Sequence, residues 1–194
     1  MEPRTVAKLS PPARLCAKVV RGFGRGSSQL GFPTANLGIR WDAKKGSPSS
    51  TSSSSRGCSF LTESEKAVLA FAEGAKCGIY AAWARVVDGP ESDVYKVAMS
   101  VGWNPHFEGD DAVKEKTIEC WLLHDFQDDF YGATLKVIVL AYVRDEAKFD
   151  SLDQLIKEIR EDGDFCDKAL DHHPDLNLVQ RDPFFFDNTP EKLV

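Results

Sequence analysis

The chain has 194 residues and a formal net charge of −6, from 24 basic and 30 acidic side chains. That length suits a single domain with a full core, and the acidic balance excludes a surface built for non-specific nucleic-acid binding. No apolar run reaches the length of a membrane span, and the opening "MEPRTVAKLSPPARL" lacks the apolar core of a signal peptide. A cytoplasmic monomer is expected, with neither nucleic acid nor membrane among its partners. The five cysteines (Cys16, Cys58, Cys77, Cys120, Cys166) are odd in number and form no C-x-x-C. That argues against structural zinc or a disulfide framework. Cys16, Cys77 and Cys120 lie in apolar strand-like runs, as reduced core residues would.

"ARLCAKVVR", Ala13 to Arg21, alternates with Leu15, Ala17 and Val19 on one side and predicts a strand. The glycine-rich "GFGRGSSQLGFPTANL", Gly22 to Leu37, follows. It is no Walker A loop, because Phe32 and Pro33 stand where a lysine and a hydroxyl are needed after Gly31. It is no dinucleotide fingerprint either, because Pro33 opposes the helix that must follow. A phosphate-holding loop of another kind and a plain turn both remain. Within "FPTAN", Thr34 and Asn36 are two apart and project to one side of an extended segment. A hydroxyl and an amide carbonyl are hard oxygen ligands, suited to Mg²⁺ whose remaining shell comes from water and substrate phosphates. The alternative is a turn in which these side chains bond their own backbone.

Trp41 to Gly74 begins with the serine-rich "KKGSPSSTSSSSRG", which reads as a flexible surface insertion carrying no chemistry. It ends in a short helix with a capping-box pattern at Thr62 and Glu65 and a stop at Gly74. Strands and turns follow: "CGIYAAWARVV", "VYKVAMSV", "KTIECWLLH" and "ATLKVIVLAYVR", the last expected to be the longest strand and apolar on both sides. A helix follows, with a second capping box at Ser151 and Gln154 and an apolar stripe of Leu152, Leu155, Ile156 and Ile159. Residues 175–194, with their "PFFF", read as a packed tail. Strands followed by a terminal helix favour an antiparallel barrel or sandwich in one domain spanning 1–194.

Glu119 lies mid-strand and shares a face with Thr117, Trp121 and Leu123. A carboxylate among apolar neighbours is either paired, with Lys116, Lys136 or an arginine of a neighbouring strand, or functional, as a general base. "HDFQDDFYG" lacks the alternating EF-hand pattern and reads as a solvated turn. His172 and His173 are adjacent and diverge on a helix, so they suit no shared metal.

Taken in order, "VVRGFGRGSSQLGFPTANL", "GIYAAWARV", "MSVGWNPHF", "KTIECWLLHDFQDDFYGATLKV" and "AYVRDEAKFDSLDQLI" resemble the eukaryotic-type riboflavin kinase family. The resemblance covers most of Ala13 to Leu170. It implies a mainly β fold, an antiparallel Greek-key β-barrel with a C-terminal α-helix. It also implies ATP-dependent phosphorylation of the riboflavin 5′-hydroxyl, giving FMN and ADP. It assigns nucleotide binding to Gly22, Gly24, Gly26, Ser28, Gly31, Thr34, Asn36, Leu122, His124 and Tyr131. Thr34 and Asn36 become ligands of Mg²⁺ (Mn²⁺ or Zn²⁺ in its place), Glu119 the catalytic base, and Arg144 and Phe149 the flavin contacts. Ser28 stands where relatives often have lysine, and Arg144-Asp145-Glu146-Ala147 where they often read R-P-E-K. A flavin-binding barrel without kinase activity is the rival reading; it would have no use for Glu119 beside P-T-A-N.

Overall fold

Period-two alternation puts one face of each strand into a closed core and leaves the other to the helices and the site. The computed structural model describes residues 3–22, 30–42, 47–49, 62–89, 91–105 and 114–187. Among the described residues eight strands are formed: β1 (Ala7–Val20), β2 (Ala35–Leu37), β3 (Arg40–Asp42), β4 (Ser47–Ser49), β5 (Gly78–Val86), β6 (Val94–Pro105), β7 (Lys114–Leu122) and β8 (Thr134–Asp145). Their order is β2-β1-β8-β5-β6-β7, and β2 pairs again with β7, which closes a six-stranded antiparallel barrel. The expected barrel with a C-terminal helix is therefore the observed fold.

Leu15, Val19, Leu37, Val97, Met99, Ile118, Cys120, Leu135 and Val137 fill the barrel interior. A second apolar layer lies outside the sheet and includes Trp83, Ile138, Leu140, Cys166, Leu170 and Phe185. The long helix α2 (Leu152–His172), the short α3 (Pro174–Asn177) and two 3-10 turns (Leu178–Arg181 and Pro183–Phe185) cover that layer. β8 is apolar on both faces because one lines the barrel and the other lies under this cover.

Four features differ from the sequence reading. β1, not β8, is the longest strand. Its added residues, Ala7 to Pro12, carry two prolines that break the alternation, and its register against β8 shifts between Lys8 and Ala13.

The segment read as a surface insertion is built into the barrel. β3 pairs with β7, and α1 (Glu63–Gly74) buries Val68 and Ala72 in the barrel core. Its capping box at Thr62 and Glu65 is complete, and the Lys116 ammonium donates to the Ala75 carbonyl at its C-terminal end. The serine tract itself falls mostly in 50–61, outside the described residues.

The face of α2 buried toward its N-terminus is ionic. Glu158 and Asp162 are buried while Leu152 is exposed. Only half of the expected box at Ser151 forms: Gln154 N–H donates to Ser151 Oγ, but Gln154 Oε1 accepts from Asp150 N–H. Finally, much of the presumed tail belongs to the core. Phe185 is fully buried, and the Trp83 indole donates to the Leu176 carbonyl over 2.9 Å.

Candidate active site

The proline-bearing segment Phe32 to Asn36 runs into β2, which pairs with β7 so that Asn36 stands opposite Glu119. Cross-strand partners share a face, and this face is the outside of the barrel, since Ile118, Cys120 and Leu122 point into the core. Thr34, two residues before Asn36, donates from Oγ1 to Glu119 Oε2 over 3.2 Å. Gly22 ends the described part of the glycine loop beside them. A Cβ there would lie 2.7 Å from Asn36 Nδ2, so glycine lets the loop backbone approach the amide. A hydroxyl, an amide, a half-buried carboxylate and a loop backbone thus converge at one spot. The same row continues across the sheet from Glu119 to Ser100, Ile79 and Arg144.

Helix α2 borders the spot. Trp121, the next outward residue of β7, packs edge-on against Phe32 at 5.0 Å, and a Cβ on Gly163 would strike its ring. The Arg160 guanidinium lies 5.8 Å from the Phe32 ring centre.

Beside the described start of the glycine loop, the D-F-Y-G turn is fixed to the end of β1. Gly132, at φ +84°, donates its N–H to the Val19 carbonyl. This brings exposed Tyr131 under the Arg21 guanidinium, 4.3 Å from its ring centre, beside the start of the glycine loop. His124 Nε2 is 2.7 Å from Glu91 Oε2, and its ring stacks on Tyr95 at 4.5 Å.

The remaining assignments fare differently. Leu122 is 3% exposed and its side chain faces the barrel core, so it does not share the outer face with Glu119. The alternation that places Glu119 outside requires this. Arg144 is buried and committed elsewhere: its Nε and Nη2 donate to the two oxygens of Asp162 at 2.7 and 2.5 Å, and its Nη1 to the Asp145 carbonyl at 2.8 Å. It stands three strands from Glu119, about 14 Å along the row. As arranged here its guanidinium ties the end of β8 to helix α2. Phe149 is half-buried in the link between β8 and α2. Gly31 takes φ +85° in the turn before Phe32. Gly24, Gly26 and Ser28 lie outside the described residues. The sequence reading missed Arg4, whose guanidinium reaches Glu158, Glu161 and Asp162 at 2.6 to 3.0 Å. No pattern in the chain announces a pairing over so long a separation.

A family model described as riboflavin kinase (Flavokinase) matches residues 9–170. The chain belongs to the riboflavin kinase family. Riboflavin kinase of Mus musculus is 36% identical over 177 residues, covering 91% of this chain and 92% of that protein. Riboflavin kinase of Homo sapiens is 36% identical over 168 residues, covering 87% and 86%. The bifunctional riboflavin kinase/FMN phosphatase of Arabidopsis thaliana is 39% identical over 173 residues, which span 89% of this chain but 37% of that protein. The crystal structure of riboflavin kinase from Trypanosoma brucei superposes with a TM-score of 0.60 at 26% identity, covering 94% of each chain. This member of the family is a kinase, and the convergence of P-T-A-N with Glu119 lies inside the matched region.

Proposed function

We propose that the outer-face patch of Thr34, Asn36 and Glu119 is where the γ-phosphoryl group of ATP passes to the 5′-hydroxyl of riboflavin, giving FMN and ADP. The observation that carries this reading is the Thr34–Glu119 hydrogen bond across β2 and β7. It puts a candidate phosphate-side residue and a candidate hydroxyl-side residue in contact.

Phosphoryl transfer needs mainly alignment and charge neutralisation. Glu119 would accept the hydrogen bond of the incoming hydroxyl, orient it in line with the phosphorus and take its proton as the bond forms. Thr34 and Asn36 would face the phosphates, with backbone N–H groups of the glycine loop beside them. Their oxygens are the hard, neutral donors that Mg²⁺ accepts, and the missing Cβ of Gly22 leaves room beside Asn36. Among the described residues no group of three or more His, Cys, Asp or Glu gathers, so an ion held here would rely on these neutral oxygens and on the phosphates. When bound, Mg²⁺ supplies neutralisation of the β- and γ-phosphate charge. His124, held by Glu91 and Tyr95, and Tyr131, held by Arg21, would line the nucleotide side. Free thiols at Cys16, Cys77, Cys120 and Cys166 suit a reducing, cytoplasmic setting.

Replacing Thr34 tests the division of roles. Thr34→Ala is expected to raise the KM for MgATP by about ten-fold or more, the loss of one good ligand contact, with the riboflavin dissociation constant nearly kept. An equal collapse of riboflavin binding would make Thr34 a structural residue and contradict the assignment.

A further inference from the structure

Where β6 begins and β7 ends, a cluster of rings closes one rim of the barrel around the imidazole of His124. Leu123 N–H donates to the Lys96 carbonyl, which carries the β6–β7 pairing past Leu122 and brings His124 beside Tyr95. The two rings stack at 4.5 Å. Phe126 meets both edge-on, 4.7 Å from His124 and 5.1 Å from Tyr95, and Phe130 lies 4.8 Å from Phe126. Tyr95, Phe126 and Phe130 pack in turn on the barrel core, so the cluster is anchored from below.

Glu91 reaches this ring from the turn between β5 and β6. The turn folds back tightly: a Cβ on Gly89 would lie 2.4 Å from Val86 Cγ1, so glycine permits the approach. Glu91 Oε2 stands 2.7 Å from His124 Nε2, and about two-thirds of each side chain is buried, with 34% of the histidine and 32% of the glutamate exposed. An ionised carboxylate only accepts, so the hydrogen of the neutral imidazole sits on Nε2. Nδ1 is then an acceptor. Glu91 thus acts on the ring in two ways: it holds the plane against Tyr95 and it fixes the tautomer.

Phe130 directly precedes Tyr131, which lies under Arg21 at the start of the glycine loop. Accepting that the phosphates run along that loop and end at Thr34 and Glu119, as the proposed function has it, the base at the other end of the nucleotide falls to the ring cluster. The rings offer apolar area and His124 a hydrogen-bonding edge, the usual make-up of a base pocket. Adenine presents an amino donor at carbon 6, and guanine an oxygen acceptor there. An acceptor nitrogen pairs with the first and is left unpaired against the second. We propose that Glu91 is a positioning residue that sets base specificity: by keeping the hydrogen of His124 on Nε2, it keeps Nδ1 an acceptor for the 6-amino group of adenine, and so favours ATP over 6-oxopurine triphosphates.

The test pairs a spectroscopic readout with a kinetic one. Nitrogen-15 NMR of the imidazoles in the full chain, with His124 assigned by its loss in His124→Gln, should show the Nε2–H tautomer in wild type and a mixture of tautomers in Glu91→Ala. The kinetics compare ATP with inosine triphosphate, which carries an oxygen in place of the 6-amino group. Wild type should show the higher kcat/KM with ATP. Glu91→Ala should lower the ratio of the two kcat/KM values about three- to ten-fold, the range of one hydrogen bond, with the riboflavin KM kept within about two-fold. Glu91→Gln, whose carbonyl oxygen still accepts from Nε2–H, should retain part of the ratio. A Glu91→Ala enzyme that loses kcat/KM equally with both nucleotides, or loses none, overturns the proposal, as does a wild-type ring with hydrogen on Nδ1. Wild type forming no FMN from riboflavin and ATP would instead overturn the kinase reading on which this rests.

Discussion

Asp162 is the residue whose removal the structure prices most directly. Its Oδ1 accepts from Arg4 Nε at 2.8 Å and Arg144 Nε at 2.7 Å, and its Oδ2 from Arg144 Nη2 at 2.5 Å. The Asp162 and Arg144 side chains are each 5% exposed. Arg4 would still find Glu158 in an Asp162→Ala variant, but Arg144 would be left buried without its carboxylate. Breaking a buried pair in this way costs about 3–5 kcal/mol. At 2–4 °C per kcal/mol for a chain of this size, Tm should fall by roughly 6–20 °C. Glu161 is the internal control: it meets the same Arg4 at 3.0 Å but is 43% exposed, so Glu161→Ala should cost less than about 1 kcal/mol. Urea and thermal unfolding of both variants measure the contrast. An Asp162→Ala protein within about 1 kcal/mol of wild type, or equal losses at both positions, would refute the view that burial gives this network its weight.

Gly22→Ala places a methyl 2.7 Å from Asn36 Nδ2. Steady-state kinetics should show the MgATP KM rising several-fold with the riboflavin KM nearly unchanged, and unaltered MgATP kinetics would contradict the close approach of loop and amide. Tyr80 supplies a pH dependence, because burial, then Tyr142 and Cys77, push its phenol up to about 12. The unfolded chain ionises near 10, so the neutral phenol's contribution is complete below pH ~10 and fades as pH rises toward ~12. Stability curves across that window should flatten in Tyr80→Phe, and an unchanged slope would assign the alkaline loss to other groups.

The convergence of Thr34, Asn36 and Glu119 was legible because it rests on short-range rules. Period two puts Thr34 and Asn36 on one side and Glu119 on the face of Thr117 and Trp121, and the hydrogen-bonded pairing of β2 with β7 joins the two sets. The same rule places Leu122 inside, and the nucleotide role assigned to it by resemblance carried no information about its side-chain direction. Helix α1 was legible through its capping box, but its burial was not, because twelve residues cannot reveal which barrel they plug. In α2 the apolar stripe is only half-buried at Leu155, Ile156 and Ile159, while Glu158 and Asp162 beside it are buried. Glu158 and Asp162 are buried only because Arg4 and Arg144 meet them from distant parts of the chain. Hydrophobic periodicity is blind to burial by ion pairing. The pairing of Arg144 with Asp162 meets the same limit, since it depends on tertiary packing alone.

The central claim is that Glu119, held beside Thr34 on the outer face of the barrel, serves the transfer of phosphate to riboflavin. Purified protein mixed with riboflavin, ATP and Mg²⁺, followed by separation of the flavins, tests it with Glu119→Gln alongside. The wild type should form FMN, and the variant should bind riboflavin yet lose on the order of 10²- to 10⁴-fold in kcat, the range for removal of a general base. FMN formed at equal rates by both would contradict the role given to Glu119 while leaving the kinase in place.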